Sequence, residues 1–178
     1  VDSAWLFQKQ AMALCEELNY EVGKGKCMYL SGRLLTMKKE TDKAMVELKQ
    51  ALQIGKSTKT KSLVQDCYSG IITILQNGGD TAWRAVCREA MDYARSTGDL
   101  MLMGKTERDI GTGEYYLGNS KKAILHFQAA IPYFEKAGDL NFVAGMNMNS
   151  GIMMYNMGDY EGSIKAYRGA EKVFLQLK

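Results

Sequence analysis

The residues able to do chemistry are few and far apart. His126 is the only histidine. It stands beside Phe127 in a helical stretch, with no serine or cysteine at a nucleophile elbow to serve. It therefore reads as a packing or surface imidazole rather than a catalytic base. Cys15, Cys27, Cys67 and Cys87 contain no C-x-x-C pair. One histidine does not complete a zinc set, so a disulfide framework and a structural zinc are both disfavoured against reduced, mostly buried thiols. "GKST" over Gly55–Thr58 ends like a phosphate loop. It follows a helix rather than a strand, however, and lacks the earlier glycine the loop needs to wrap a phosphate. "GTG" over Gly111–Gly113 falls inside a helix and is no dinucleotide fingerprint. Glu16-Glu17 and the Glu107/Asp109 pair read as solvated helix carboxylates. These residues predict no catalysis, no metal and no cofactor.

The bulk properties agree with a non-catalytic helical protein. The chain has 178 residues, 46% hydrophobic and 24% charged, which suits one globular domain with a sizeable core. Its single proline, Pro132, argues against a loop-rich or sandwich fold and for helices joined by short turns. No apolar run approaches the roughly 18 residues of a membrane span, and no charged-then-apolar leader opens the chain. Twelve methionines are read as gap-fillers between helices. Residues 24–61 hold ten Lys/Arg against three acids. These lysines scatter round two helices as a solubilising surface does, so nucleic acid is not the expected partner. Reduced thiols suit a cytoplasmic setting.

An internal repeat organises the chain. Stepping back from Gly151 by 40, 41 and 38 residues meets Gly111, Gly70 and Gly32. Twelve residues after three of these glycines stands a small residue: Ala44, Ala123 or Ser163. Four further on stands a large one, Leu48, Phe127 or Tyr167, and three beyond that an alanine, Ala51, Ala130 or Ala170. The remaining unit needs one extra loop residue near Asn77–Asp80; Cys87 and Ala90 then take the large and alanine places, and Trp83 the small one. Small residues let two helix axes approach, and the large residue fills the space beside them. The Gly-Asp pairs at Gly98, Gly138 and Gly158 are helix stop and start signals. The spacing predicts helices over 4–18, 24–37, 41–56, 61–76, 81–96, 100–116, 121–136, 140–156 and 160–176. Pro132 lies inside the seventh, where it should bend the helix or free a carbonyl.

Gly151, Gly158-Asp159-Tyr160, Ser163, Tyr167 and Ala170 together resemble the tetratricopeptide repeat (TPR). A period near 40, against about 34 for the basic unit, resembles the longer-helix branch. That branch includes repeat regions of bacterial sensor kinases, peptide-pheromone regulators and spindle-orientation adaptors. "LNYEVGKGKCMYLSG" (Leu18–Gly32) is most similar to repeats of Bacteroidetes-type sensor proteins. The resemblance implies an all-α fold, a right-handed α-solenoid of about nine helices in antiparallel pairs. It would be one repeat domain over 1–178, with a half unit over 1–22 and units over 23–60, 61–99, 100–139 and 140–178. Trp5, Leu6 and Phe7 at one end and Val173, Phe174 and Leu175 at the other give no polar cap. The chain is thus expected to be a fragment of a longer protein, or to self-associate through its ends.

In this family the first helices of successive units line a concave groove. Carried over by the glycine register, the groove residues are Tyr29, Arg33 and Thr36, then Cys67, Ile71 and Ile74. Arg108, Thr112 and Tyr115 follow, then Met148, Ile152 and Tyr155, with Asn149 and Asn156 nearby. The lysine/asparagine clamp that some members use for chaperone C-termini is missing, because Tyr29 and Arg33 hold its places. An asparagine ladder for a pheromone backbone is incomplete, since Asn149 and Asn156 come from one unit. The resemblance implies a non-catalytic scaffold for a protein or peptide partner, the sensory or regulatory region of a larger signalling protein. An intracellular peptide-pheromone receptor, or an accessory region of an enzyme whose catalytic domain lies elsewhere, are the alternatives.

Overall fold

A computed structural model describes residues 2–177. Among them are nine helices and no strand: α1 (Asp2–Glu17), α2 (Glu21–Met37), α3 (Thr41–Ser57), α4 (Lys61–Asn77), α5 (Trp83–Thr97), α6 (Leu100–Tyr116), α7 (Ser120–Ala137), α8 (Leu140–Asn156) and α9 (Tyr160–Gln176). No described helix is long and apolar enough to cross a membrane. The observed ends fall within three residues of the expected ones. The largest shift is at α2, which starts ahead of Gly23 rather than after it. By packing, the chain falls into two compact units, Val1–Val86 and Cys87–Lys178.

In the first unit α1 packs on α2, α2 on α3, and α3 and α2 on α4. Leu48, 1% exposed, is the pin between three of these helices. Its side chain lies 2.7 Å from where a Cβ on Gly32 would stand, and 3.2 Å from one on Gly70. In the second unit α6 packs on α7, α7 on α8 and α8 on α9. The core there joins Ala123, Ile124, Phe127, Ala130, Phe134, Val143, Met146 and Met153. The glycine register acts as the spacing requires. A Cβ on Gly111 would stand 2.7 Å from the Phe127 ring, and one on Gly151 2.9 Å from the Tyr167 ring. The small residues at the repeat's fixed places, Ala44, Ala51, Ala90, Ala123, Ala130, Ser163 and Ala170, are all buried.

The turns explain why the pairs are antiparallel and tight. Gly138 and Gly158 take φ of 77° and 80°, a left-handed conformation that costs a residue with a Cβ about 1 kcal/mol or more. The next residue's N–H then reaches back five positions, Asp139 to Phe134 C=O and Asp159 to Met154 C=O. The same aspartates cap the helix that follows, accepting from the N–H groups of Phe142 and Gly162. Asp99 does likewise with Leu102. Leu102 and Phe142 occupy the place of Gly162 at their own caps, so the cap tolerates a side chain there. A Cβ on Gly162 would meet only the movable Asp159 carboxylate.

Pro132 sits inside α7, which runs through it. Its missing N–H removes the usual donor to Gln128 C=O, and both residues are exposed, so the carbonyl is open to hydration. An interior proline costs a helix about 3 kcal/mol relative to alanine. Hydration has already offset part of that here. Pro132→Ala is accordingly expected to raise stability by about 1–2 kcal/mol, seen as a higher urea midpoint with an unchanged m-value.

Candidate functional site

The chemistry-bearing residues are occupied in structural roles. His126 Nδ1 lies 2.8 Å from Glu107 Oε2, tying α7 to α6. Ser57 and Thr58 of the "GKST" stretch donate their hydroxyls to Ile54 C=O, and a Cβ on Gly55 would meet Val64. Gly111–Gly113 lies within α6. Burial pushes the Cys67 and Cys87 thiols up to about 12, which makes them inert as nucleophiles. No group of three or more His, Cys, Asp or Glu among the described residues is placed to hold a metal.

The groove positions divide by unit. On α2, Arg33 is exposed and its guanidinium lies 5.9 Å from the centre of the Tyr29 ring. Burial, with a contribution from the Asp66 charge, raises the Tyr29 hydroxyl above its ordinary value. Thr36 donates its hydroxyl to Gly32 C=O. The residues on α4 correct the sequence-based expectation: Cys67, Ile71 and Ile74 are buried, at 6% exposure or less. The reason is that α4 is apolar on more than one face, burying Leu63, Val64, Tyr68 and Ile72 as well, and such a helix packs on several sides. No partner can reach these three residues in this structure, so the expected greasy centre of a groove is core.

The second unit does present a surface. Arg108, Thr112 and Tyr115 of α6 stand 40 residues before Met148, Ile152 and Tyr155 of α8. The two helices meet at Phe142, over whose ring the Arg108 guanidinium carbon lies at 5.4 Å. Tyr115, Met148, Ile152 and Tyr155 are 45%, 40%, 46% and 59% exposed; Asn149 and Asn156 are exposed beside them. Thr112 is half-buried and donates its hydroxyl to Arg108 C=O. Arg108 is engaged too: its Nε and Nη2 donate to Asp109 Oδ1 at 2.9 and 2.7 Å. Asp109 is 7% exposed, so this arginine balances a buried carboxylate.

Tyr160 was missed from sequence. It is 60% exposed and meets Tyr155 edge-on at 5.5 Å between ring centres. Its place after Gly158-Asp159 reads as part of a turn signal, and only the turn's geometry brings it to the Tyr155 ring.

No protein-family model matches the sequence, and no curated protein matches it. Among solved structures, the chain is similar to a Rap protein determined in complex with competence and sporulation factor. Identity is 20% and the TM-score 0.77, over 93% of this chain and 47% of that one. The fold is a TPR-like helical repeat of the α-solenoid class. The chain spans about half the length of that neighbour.

Proposed function

We propose that the chain is a non-catalytic repeat scaffold that binds a peptide or protein segment along α6 and α8 of its second unit. One observation carries this. Helix α8, Leu140–Asn156, contains no charged residue, yet exposes Met148, Ile152 and Tyr155 to solvent. An exposed helix face normally carries Lys, Arg, Glu or Asp. A contiguous row of Met, Ile and Tyr with Asn beside it suits an occupant with apolar anchors and backbone groups to satisfy. Tyr115 and Tyr160 extend the row, while Arg108 supplies its edge with a charge already paired. The Rap neighbour's complex with a factor supports a segment-binding use of this fold. On this reading the chain is the sensory or regulatory region of a larger cytoplasmic signalling protein, of the kind its Leu18–Gly32 segment resembles. An intracellular peptide-pheromone receptor is the second reading, which the same complex favours.

Selection of short peptides from a displayed random library on the full chain, followed by fluorescence polarisation, tests the site. Tyr155→Ala with Ile152→Ala should weaken the selected peptides at least about tenfold, as loss of two anchors does. Val46→Ala, on an exposed face of α3, should leave them unchanged. Equal binding by all three proteins, or no enrichment at all, overturns the assignment.

A further inference from the structure

Two of the four cysteines lie at the contact between α1 and α2, one on each helix. Cys15 is in the last turn of α1 and Cys27 in the second turn of α2. The Cys15 sulfur lies against the backbone of Gly23, so closely that a Cβ on Gly23 would collide with it. Gly23 is one helical turn before Cys27 on the same side of α2, where residues four apart are neighbours. Burial, with a contribution from Cys15, raises the Cys27 thiol above its ordinary value, and two turns earlier on α1 the Gln8 amide donates to Cys27 C=O at 3.2 Å. Their exposure is unequal: Cys15 is half-buried and open to solvent, whereas Cys27 is 5% exposed.

We propose that Cys15 and Cys27 are a peroxide-sensitive thiol pair whose oxidation to a disulfide clips α1 onto α2. The accessible Cys15 thiolate attacks a hydroperoxide, breaking the O–O bond. It becomes a sulfenic acid, and the peroxide's other oxygen leaves as an alkoxide or hydroxide that takes up a proton. Cys27 sulfur then attacks the Cys15 sulfur; the S–OH bond breaks, the Cys27 proton joins the departing hydroxide as water, and the S–S bond closes. The peroxide is reduced and the two thiols are oxidised, by two electrons in all. Cys67 and Cys87 are fully or almost fully buried and stay out of the reaction.

The mechanical consequence falls on α1. Gln8 is its only buried residue among those described, and Leu6, Phe7 and Leu14 are more than half exposed. A helix held so lightly opens locally at small cost, and a covalent link to α2 would remove most of that opening.

The test treats the full chain with hydrogen peroxide and counts thiols after denaturation. Two of the four thiols should remain, the mass should fall by two hydrogen atoms, and peptide mapping should join the Cys15 and Cys27 peptides. Proteolysis within α1 should slow by about tenfold on oxidation and recover with dithiothreitol. Cys15→Ser should abolish the mass loss, while Cys27→Ala should leave Cys15 at the sulfenic or sulfinic stage. Four surviving thiols, joining through Cys67 or Cys87, or disulfide found only between molecules would each overturn the proposal.

Discussion

Phe134→Ala is expected to destabilise the Cys87–Lys178 unit by about 3–5 kcal/mol, the usual cost of emptying a buried aromatic site. Phe134 is fully buried and stacks on Phe142 with 4.6 Å between ring centres. It also covers Gly104, where a Cβ would stand 2.7 Å from its ring. The ring therefore fills the space among α6, α7 and α8, and no neighbour is free to collapse into it. Thermal unfolding followed by circular dichroism should show a midpoint lower on the order of 10 °C. Leu125→Ala in the same helix, 64% exposed, should change stability by less than about 0.5 kcal/mol. The glycine sharpens the test. Gly104→Ala alone overpacks the site and should cost about 1–3 kcal/mol, but with Phe134 removed the added methyl enters empty space. The two substitutions should couple by about 1 kcal/mol or more, with the double variant more stable than the sum predicts. Additive effects, or a Phe134→Ala midpoint equal to that of Leu125→Ala, would sink this account of the core.

The same geometry shows what a sequence can and cannot reveal. Gly32 with Leu48, Gly111 with Phe127 and Gly151 with Tyr167 are each 16 residues apart. A glycine and a bulky residue at a constant offset across a turn encode one local event, a side chain seated on a bare backbone, so their pairing is legible. Gly70 shares the register, yet it sits on Leu48 of the preceding helix. Register transfers position but not environment. Cys67, Ile71 and Ile74 fail for that reason: their places match the groove, while the apolar faces of α4 draw them into the core. Arg108 and Asp109 are adjacent in sequence, and neighbours along a helix do not normally face one another; their ion pair depends on the arginine folding back beneath Phe142. Cys15 and Cys27 are separated by a turn and by no recognised spacing, so only the packing of α1 on α2 brings them together.

Arg108→Glu is expected to cost about 3 kcal/mol of stability, because it removes the cation from a buried ion pair. The guanidinium contacts Asp109 through two nitrogens, and the pair's side chains are only 24% and 10% exposed. Glutamate at this place sets a second carboxylate beside Asp109 in a poorly solvated site, where like charges raise the cost of ionising both. It also strips the cation from the face of Phe142, worth a further ~0.5–1 kcal/mol. The pH dependence gives the sign. The carboxylates of the variant bind protons more tightly folded than unfolded, so its deficit is largest at neutral pH and shrinks as pH falls through about 4–5. Arg108→Lys keeps the charge but not the planar fork, and should lose about 1 kcal/mol. Urea unfolding of both variants at pH 7 and pH 4.5 measures this, and an Arg108→Glu deficit that is absent or independent of pH would refute it. The consequence reaches the binding site. A charge reversal at Arg108 would weaken partner binding by destabilising α6, whether or not the partner touches it, whereas Tyr155 and Ile152 protrude without supporting the core. Only the latter residues can tell a broken groove from a broken fold.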